Sequence, residues 1–310
     1  MLIAALTAAL ALQSAEPRDV ILPTEPGALA GTLIGAGEGG PAALLISGSG
    51  PTDRDGDSPL GVNAGYLRQL AEGLAAEGIT SLRYDKRGLA GSASAGVPED
   101  QLRFENLVED ARAWAAFLRQ ETGQPCVWLV GHSEGALIAQ AVAAGDLGVC
   151  GLVLVSGAGR PAAVVIREQL QAMPEPLRGQ ALHVVDELDA GRPVDCPAAL
   201  AVLCRASVQP YVIGWMDLDP VALAAAETRP TLVLQGTTDI QTSVADAQAL
   251  AGARAGTELV LLDGVNHVLK VAPLDRAANA ATYADPSLPL ADGVVEAVAG
   301  FILRDRPETD

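Results

Sequence analysis

The sequence predicts an α/β protein with one doubly wound, mostly parallel, eight-stranded sheet and a helical cap insertion. Short apolar runs alternate with longer segments whose apolar residues recur at helical spacing. Strands that alternate with helices form parallel sheets covered by helices on both faces. The alternation stops at residue 159 and resumes at residue 229. We therefore expect a core formed by residues 16–158 and 229–310, with a cap formed by residues 159–228.

Eight apolar runs are the candidate strands, and the first two differ from the rest. The runs are residues 20–22, 29–34, 42–46, 79–84, 127–130, 152–155, 232–234 and 259–262. Pro23 and Pro26-Gly27 separate the first two, which predicts an antiparallel entry into the sheet. The later runs include continuous apolar stretches, typical of strands that are buried on both faces.

Helical spacing of apolar residues connects these strands. Five core helices are predicted. The first ends at Gly78, the second and third cover 107–118 and 136–144, the fourth begins at Ser243, and the fifth covers 294–303. Ser243 is followed three residues later by Asp246, its predicted capping partner. In the cap, helical patterns at 164–173 and 177–188 are interrupted by prolines and no strand is evident. A helical insertion at this point is expected to lie over the carboxyl ends of the strands.

Composition and charge narrow the class of partner. The 310 residues are 49% hydrophobic and 19% charged, which is enough to bury a full core. The net charge of −18 argues against nucleic acid or an anionic membrane surface, because both require a basic surface on the protein.

The first 15 residues resemble a targeting segment. The apolar run at 2–12 is too short to span a bilayer, and the small residues Ala9, Ala11 and Ala15 suit a signal peptidase. No Lys or Arg precedes the run, which departs from the usual signal pattern. We expect residues 1–15 to be removed and the protein to be periplasmic or secreted, with no stable membrane insertion afterwards. The alternative is a cytoplasmic protein.

The four cysteines leave two alternatives open. Cys126 and Cys150 each open a predicted strand and would lie side by side if those strands are parallel neighbours. Cys196 and Cys204 lie close together in the cap. Both pairs could form disulfides in an oxidising compartment, or all four could be buried thiols. Their spacing does not match a zinc site.

Residues 131–135, Gly-His-Ser-Glu-Gly, form the strongest motif. An apolar strand precedes them and a small-residue helix follows, which is the context of a nucleophile elbow. Ser133 is therefore the candidate nucleophile. Gly131 and Gly135 are expected because a turn this tight leaves no room for side chains beside it.

Two later loops supply a candidate acid and base. Asp239 follows the strand at 232–234, and His267 follows the strand at 259–262, so both are expected at the same sheet edge as Ser133. The other histidines fit less well, since His132 lies inside the elbow and His183 in the cap. Asp263 is a competing acid that we expect to be held in its own turn.

The chemistry of acyl transfer also requires donors for a developing oxyanion. The backbone N–H of Glu134 and that of Ser49 or Gly50 are the candidates, since residues 47–51 form a glycine-rich loop directly after a buried strand. This loop lacks the lysine of a nucleotide-binding loop and precedes an acidic segment, so we reject a nucleotide site. The predicted mechanism requires no cofactor and no metal.

These motifs together resemble those of the α/β-hydrolase-fold serine hydrolases, in the bacterial group with serine aminopeptidase-like or esterase-like domains. The resemblance covers nearly the whole mature chain through residues 47–55, 83–88, 131–135, 235–239 and 266–267. It implies Ser133 as nucleophile, Asp239 as acid, His267 as base, and Ser49 with Glu134 as oxyanion donors. Ser47 replaces the histidine of the lipase loop. Lys86 and Arg87 are expected to pair with the acidic segment 53–57 and so to hold the oxyanion loop in shape.

A carboxylesterase that acts on small-molecule esters with small to medium acyl groups is the favoured function. The candidate substrate contacts are Gly50, Tyr211, Trp215 and Met216, with core packing as the alternative role for the cap side chains. An aminopeptidase or other amide hydrolase is an alternative, and it would require convergence of acidic residues. These are Glu134, Asp186, Glu187 and Asp189. A non-catalytic binding protein is the second alternative. The sequence leaves the substrate identity and the oligomeric state open.

Overall fold

The computed structural model describes residues 16–37, 39–145, 148–171 and 173–306. The predicted signal peptide, residues 1–15, lies outside the described residues. An eight-stranded sheet organises the described chain. Its strands are β1 (Arg18–Pro23), β2 (Ala28–Ile34), β3 (Ala42–Ile46), β4 (Thr80–Tyr84), β5 (Val127–His132), β6 (Val149–Val155), β7 (Thr231–Gly236) and β8 (Glu258–Leu262).

The order of strands across the sheet is β1-β2-β4-β3-β5-β6-β7-β8. β1 and β2 pair antiparallel, and β2 also runs antiparallel to β4, whereas all pairs from β4 to β8 are parallel. The predicted mostly parallel sheet with an antiparallel entry is therefore confirmed. In the central strands the register aligns Ile46 of β3 with Gly131 of β5, so both strands end at the same edge.

Helices cover both faces of this sheet and also form the segment between β6 and β7. They are α1 (Tyr66–Ala76), α2 (Phe104–Thr122), α3 (Glu134–Ala143), α4 (Ala162–Leu170), α5 (Leu177–Asp189), α6 (Ala201–Cys204), α7 (Gln209–Met216), α8 (Pro220–Ala226), α9 (Val244–Gly252), α10 (Arg276–Ala281) and α11 (Val294–Arg304). α1 and α11 pack on one face, where Trp128 meets Phe301 edge-on at a centroid distance of 5.5 Å. α2, α3 and α9 pack on the other face, where α2 contributes the fully buried Trp114. Burial of such continuous apolar surfaces supplies most of the driving force for this arrangement.

The segment between β6 and β7 is helical and has its own apolar core. Helices α4 to α8 come from this segment, and Leu170, Val184, Leu188 and Met216 pack together inside it. Pro161 precedes α4 and Pro176 precedes α5, where the missing N–H of proline costs no helical hydrogen bond.

Both candidate cysteine pairs are disulfides. Cys126 and Cys150 join the starts of the adjacent strands β5 and β6, with a Cα–Cα distance of 5.1 Å. Cys196 and Cys204 close a short loop inside the cap, with a Cα–Cα distance of 5.4 Å.

Helix boundaries mostly follow the predicted patterns. The capping box of α9 is present, because Ser243 Oγ accepts from the N–H of Asp246 and the Asp246 carboxylate accepts from the N–H of Ser243. The short helix α10 has no counterpart among the predicted elements, because its six residues carry no apolar periodicity. Within the described ranges, none of the helices is long and apolar enough to cross a membrane.

Candidate active site

The nucleophile elbow is present at the end of β5. Ser133 has φ 56° and ψ −120°, and α3 begins at the next residue. A Cβ at Gly131 would lie 2.1 Å from the carbonyl oxygen of Gly135, and a Cβ at Gly135 would lie 2.3 Å from that of Ile46. Only glycine fits at these two positions. Because neither glycine has a side chain, the turn can close tightly enough to hold Ser133 in this sparsely populated conformation.

Asp239 and His267 are hydrogen-bonded to each other. The distance from His267 Nδ1 to Asp239 Oδ2 is 2.8 Å. The Asp239 side chain is fully buried and that of His267 nearly so. Because an ionised carboxylate only accepts hydrogen bonds, Asp239 directs the Nδ1–H of His267 toward itself and leaves Nε2 available as a base.

The loop after Asp239 donates hydrogen bonds to the Asp239 carboxylate. Oδ1 accepts from the backbone N–H groups of Gln241 at 2.7 Å and Thr242 at 3.0 Å. Oδ2 also accepts from Thr242 Oγ1 at 2.9 Å and Gln235 Nε2 at 3.0 Å. Burial disfavours the charged form, but the attraction of His267 and these donors outweigh it and hold the pKa of Asp239 well below its ordinary value.

The competing carboxylate lies elsewhere. Asp263 is exposed, and its Oδ1 accepts from Thr237 Oγ1 at 3.0 Å. Asp239, and not Asp263, therefore contacts the imidazole of His267.

Ser133 and His267 line the same small cavity. Its volume is about 80 Å³, and Ser49, Gln241 and Tyr283 contribute to its wall. A larger cavity of about 250 Å³ meets the first at Ser49, Ser133 and Gln241 and extends beneath the cap. The apolar part of its wall is formed by Leu137, Val165, Ile166 and Trp215. The serine hydroxyl therefore lies at the junction of two cavities of different size.

His132 connects the elbow to the His267 loop. Its Nε2 lies 2.7 Å from the carbonyl oxygen of His267, and its Nδ1 lies 3.0 Å from the Tyr66 hydroxyl. Since a carbonyl can only accept, Nε2 carries the proton and Nδ1 accepts from Tyr66. Burial, with the adjacent His267, lowers the pKa of His132 to about 3, so this ring is neutral and structural.

The two candidate oxyanion donors flank the serine. Ser49 and Glu134 line the larger cavity together with Ser133. Within the described part of the chain, neither backbone N–H donates to another protein group. The loop approaches the elbow closely, since a Cβ at Gly48 would lie 3.1 Å from that of Ser133.

The expected pairing of Lys86 and Arg87 with the acidic segment 53–57 is wrong. Arg87 Nε donates to Asp110 of α2 at 2.7 Å. Lys86 Nζ donates to the carbonyl oxygens of Gly48 and, at 3.2 Å, Gly50. Both residues lie beyond the end of β4, where the chain begins a turn that directs Lys86 to the oxyanion loop and Arg87 to α2.

Neighbouring residues make the contacts with the acidic segment instead. Arg83 Nε donates to Asp55 Oδ1 at 2.8 Å, and Arg54 Nη2 donates to Asp85 Oδ2 at 2.7 Å. These two ion pairs cross-link the end of β4 and the residue after it to the loop after β3.

The predicted substrate contacts separate in the structure. Trp215 lines the larger cavity beside Ser133. Gly50 and Tyr211 line a different groove, on the Lys86 side of the oxyanion loop. Met216 is buried in the apolar core of the cap, because the helical turn of α7 directs it away from Trp215. Tyr211 reaches the site from behind, through a hydrogen bond of 2.7 Å from its hydroxyl to Glu134 Oε2.

The acidic residues proposed for a free amine do not converge. Asp186 and Asp189 both pair with Arg167, and Glu187 pairs with Arg192. Glu134 is buried at the elbow, where it faces Lys86 and Tyr211.

Several residues at the site were not identified from the sequence. Tyr66, Gln241, Thr242 and Tyr283 line the cavities or brace Asp239 and His132. Gln241 and Thr242 had a local signal, because Asp commonly accepts from backbone N–H groups two and three residues later. Arg160 also lines the larger cavity, but its guanidinium is paired with Asp246 at 2.7 Å and with Glu168.

Comparisons with known proteins identify similar sequences. Residues 60–194 match the family described as serine aminopeptidase, S33. The chain is 28% identical over 272 residues to esterase EstD of Thermotoga maritima, a match that covers 83% of this chain. It spans about three fifths of the length of that relative.

Solved structures share the fold. The α/β hydrolase GrgF from a Penicillium species superposes with a TM-score of 0.61 at 21% identity, covering 94% of this chain and 97% of GrgF. Est1E of Butyrivibrio proteoclasticus, solved with ferulic acid bound, superposes with a TM-score of 0.60 at 18% identity, covering 92% of this chain and 98% of Est1E. At these identities the likeness establishes the α/β-hydrolase fold.

The neutral His132 generates a prediction about stability and pH. Its pKa of about 3 in the folded chain lies below the ordinary value of about 6.5, so the unfolded chain binds more protons between these two values. The stability from His132 is therefore complete above about pH 6.5 and is lost as the pH falls toward about 3. In chemical denaturation between about pH 7 and 4, the free energy of unfolding should fall more steeply for the parent than for His132→Gln, by up to about 1.4 kcal/mol per pH unit. Parallel pH curves for the two proteins would contradict this assignment.

Proposed function

We propose that this chain, an α/β-hydrolase-fold protein that resembles esterases, is a serine carboxylesterase for small to medium acyl esters. The observation that supports the proposal best is the buried Asp239–His267 pair, whose imidazole lines one cavity with the elbow residue Ser133. A base held in one tautomer in the same cavity as a serine is the arrangement that nucleophilic acyl transfer requires.

The first half of the reaction acylates the serine. His267 Nε2 takes the proton of Ser133 as Oγ attacks the ester carbonyl, and a tetrahedral oxyanion forms. The backbone N–H groups of Ser49 and Glu134 stabilise that charge. The C–O bond to the alcohol then breaks, and the imidazolium returns its proton to the departing alcohol oxygen.

The second half releases the acid. His267 takes a proton from water, the resulting hydroxide attacks the acyl-enzyme carbonyl, and the proton is then transferred to Ser133 Oγ as the C–O bond to the serine breaks. Asp239 remains ionised throughout. Its role is to fix the imidazole orientation and to stabilise the imidazolium that forms in both halves.

The two cavities suggest how an ester binds. The alcohol must leave beside His267, where the cavity of about 80 Å³ lies. The acyl group is then left with the cavity of about 250 Å³, whose apolar wall includes Leu137 and Trp215. That volume lies near the lower end of ordinary small-ligand sites, which favours small to medium acyl groups.

An aminopeptidase is the second candidate, favoured by the family description that matches residues 60–194. It requires a carboxylate that reaches the free amine of the substrate. Glu134 is an acidic residue that lines the larger cavity, but its side chain is buried and already faces Lys86 and Tyr211. The esterase therefore agrees better with the cavity. A non-catalytic binding protein is the least favoured alternative, because it would not need a paired acid and base next to the serine.

Hydrolysis of p-nitrophenyl esters from acetyl to decanoyl, measured beside aminoacyl p-nitroanilides, tests the esterase. We expect turnover of the short and medium esters, a decline for the longest acyl chains, and little cleavage of the anilides. Ser133→Ala should abolish turnover while retaining the circular dichroism spectrum and melting temperature. Anilide cleavage as the main activity would favour the aminopeptidase, and an active Ser133→Ala variant would refute the nucleophile.

The two candidate acids provide a matched pair of variants. Asp239→Asn should lower kcat by about 10³-fold or more, because the amide can donate to Nδ1 and leave the wrong imidazole nitrogen protonated. Asp263→Asn removes an exposed carboxylate from the neighbouring loop and should leave kcat within about threefold of the parent. The opposite pattern would assign the acid to Asp263.

We also propose that the protein is exported. The two disulfides support this, since such bonds persist mainly in oxidising compartments. Intact-mass analysis of the protein from its native host should show a chain without residues 1–15 and with both disulfides formed. A full-length chain with four reduced thiols would place it in the cytoplasm.

A further inference from the structure

The oxyanion loop, residues 47–51, contacts a buried lysine. Lys86 lies just beyond the end of β4 and the loop just beyond the end of β3, and these strands are parallel neighbours. Lys86 is 6% exposed, and its Nζ donates to the carbonyl oxygens of Gly48 and Gly50. Its third interaction is with Glu134 Oε1 at 3.6 Å. The three N–H groups of the ammonium therefore face the loop and the residue after the nucleophile.

The contact with Gly48 determines the direction of one particular donor. The amide between Gly48 and Ser49 is trans and planar, so its carbonyl and its N–H point in opposite directions. Because the Gly48 carbonyl points at Lys86, the Ser49 N–H points away from it. Ser49 and Ser133 both line the two cavities. An oxyanion would form beside these residues.

The same contact strengthens that donor. A cation at the carbonyl oxygen draws electron density through the conjugated amide, which makes the N–H at the other end more positive. The next amide differs, because the Ser49 carbonyl accepts from the neutral Thr52 Oγ1 at 2.8 Å. Between the two donors left open by the sequence, Ser49 N–H and Gly50 N–H, only the first belongs to an amide that Lys86 polarises.

We propose that Lys86 is a positioning residue that orients and polarises the Gly48–Ser49 amide as an oxyanion donor, with Glu134 as its counter-charge. This inference rests on the proposed esterase activity. Glu134 supplies a carboxylate whose Oε1 lacks any hydrogen-bond partner in the described chain. Burial lowers the pKa of Lys86, and the adjacent charge of Glu134 opposes that decrease and favours the ammonium form.

Lys86→Met tests the proposal, because methionine has a similar length and no donor. Per active site titrated by an aryl phosphonate, kcat should fall about 100-fold, while KM stays within about threefold. The affinity for a trifluoromethyl ketone of matching acyl length, which adds to Ser133 and places an oxyanion in the same position, should fall by about the same factor as kcat/KM. If Lys86 only supported the fold, the variant would have fewer titrated sites, but kcat per titrated site and the affinity for the ketone would both be unchanged.

Two further variants separate this role from general damage. Arg87→Met removes a buried cation from the same segment, paired with Asp110 and not with the loop, and should reduce stability without the fall in ketone affinity. Lys86→Met/Glu134→Gln removes both buried charges, so it leaves no unpaired carboxylate and keeps the Glu134 N–H. It should remain as slow as Lys86→Met, and it replaces that variant if Lys86→Met does not fold.

The outcomes differ for the two proposals. A parent that hydrolyses no ester refutes the esterase activity. An active parent with recovery of kcat in the double variant, or with equal ketone affinity in Lys86→Met and Arg87→Met, refutes the role of Lys86 alone.

Discussion

The close approach of three backbones at the elbow is the constraint on which the site depends. The carbonyl of Ile46 at the end of β3 lies so near Gly135 in the first turn of α3 that no Cβ fits between them. The same turn brings the Gly135 carbonyl against Gly131. Ser133 is held at a positive φ because Gly131 and Gly135, two residues away on either side, let the turn close tightly, and the strain is sustained by the packing of β3, β5 and β6 against α3. The oxyanion loop begins one residue beyond Ile46, so the constraint that sets the nucleophile also places the loop beside it.

Most of the fold was predictable, because its signals are local and repeated. The apolar runs, the antiparallel entry and the helical spacing each depend on neighbouring residues only, and topology then brings the ends of the parallel strands to one edge. That rule is why Ser133, Asp239 and His267 could be selected although more than a hundred residues separate the first from the last. The capping box at Ser243 was predictable for the same reason, since both partners lie within one turn.

The partners of buried charges were not predictable to the same extent. Lys86 and Arg87 are adjacent in sequence near an acidic segment, and charge alone suggested the wrong partners for both. The turn that follows β4 decides the outcome, because it directs one side chain toward a pair of carbonyls and the other toward Asp110. The contact of Tyr66 with His132 was hidden for a similar reason, since it depends on how α1 packs across the sheet rather than on any local pattern.

The polar groups beneath the site form two networks. On the His267 side, Tyr66 and His132 hold the backbone of the base through neutral hydrogen bonds. On the Glu134 side, the contacts are charged, and the Tyr211 hydroxyl joins the cap helix α7 to the same carboxylate that faces Lys86. A buried charge is costly unless it is paired, and the Glu134 carboxylate meets this requirement through Lys86 and Tyr211. The cap helix α7 and the oxyanion loop therefore share one carboxylate, since the Glu134 side chain accepts from Tyr211 and faces the lysine that donates to the loop.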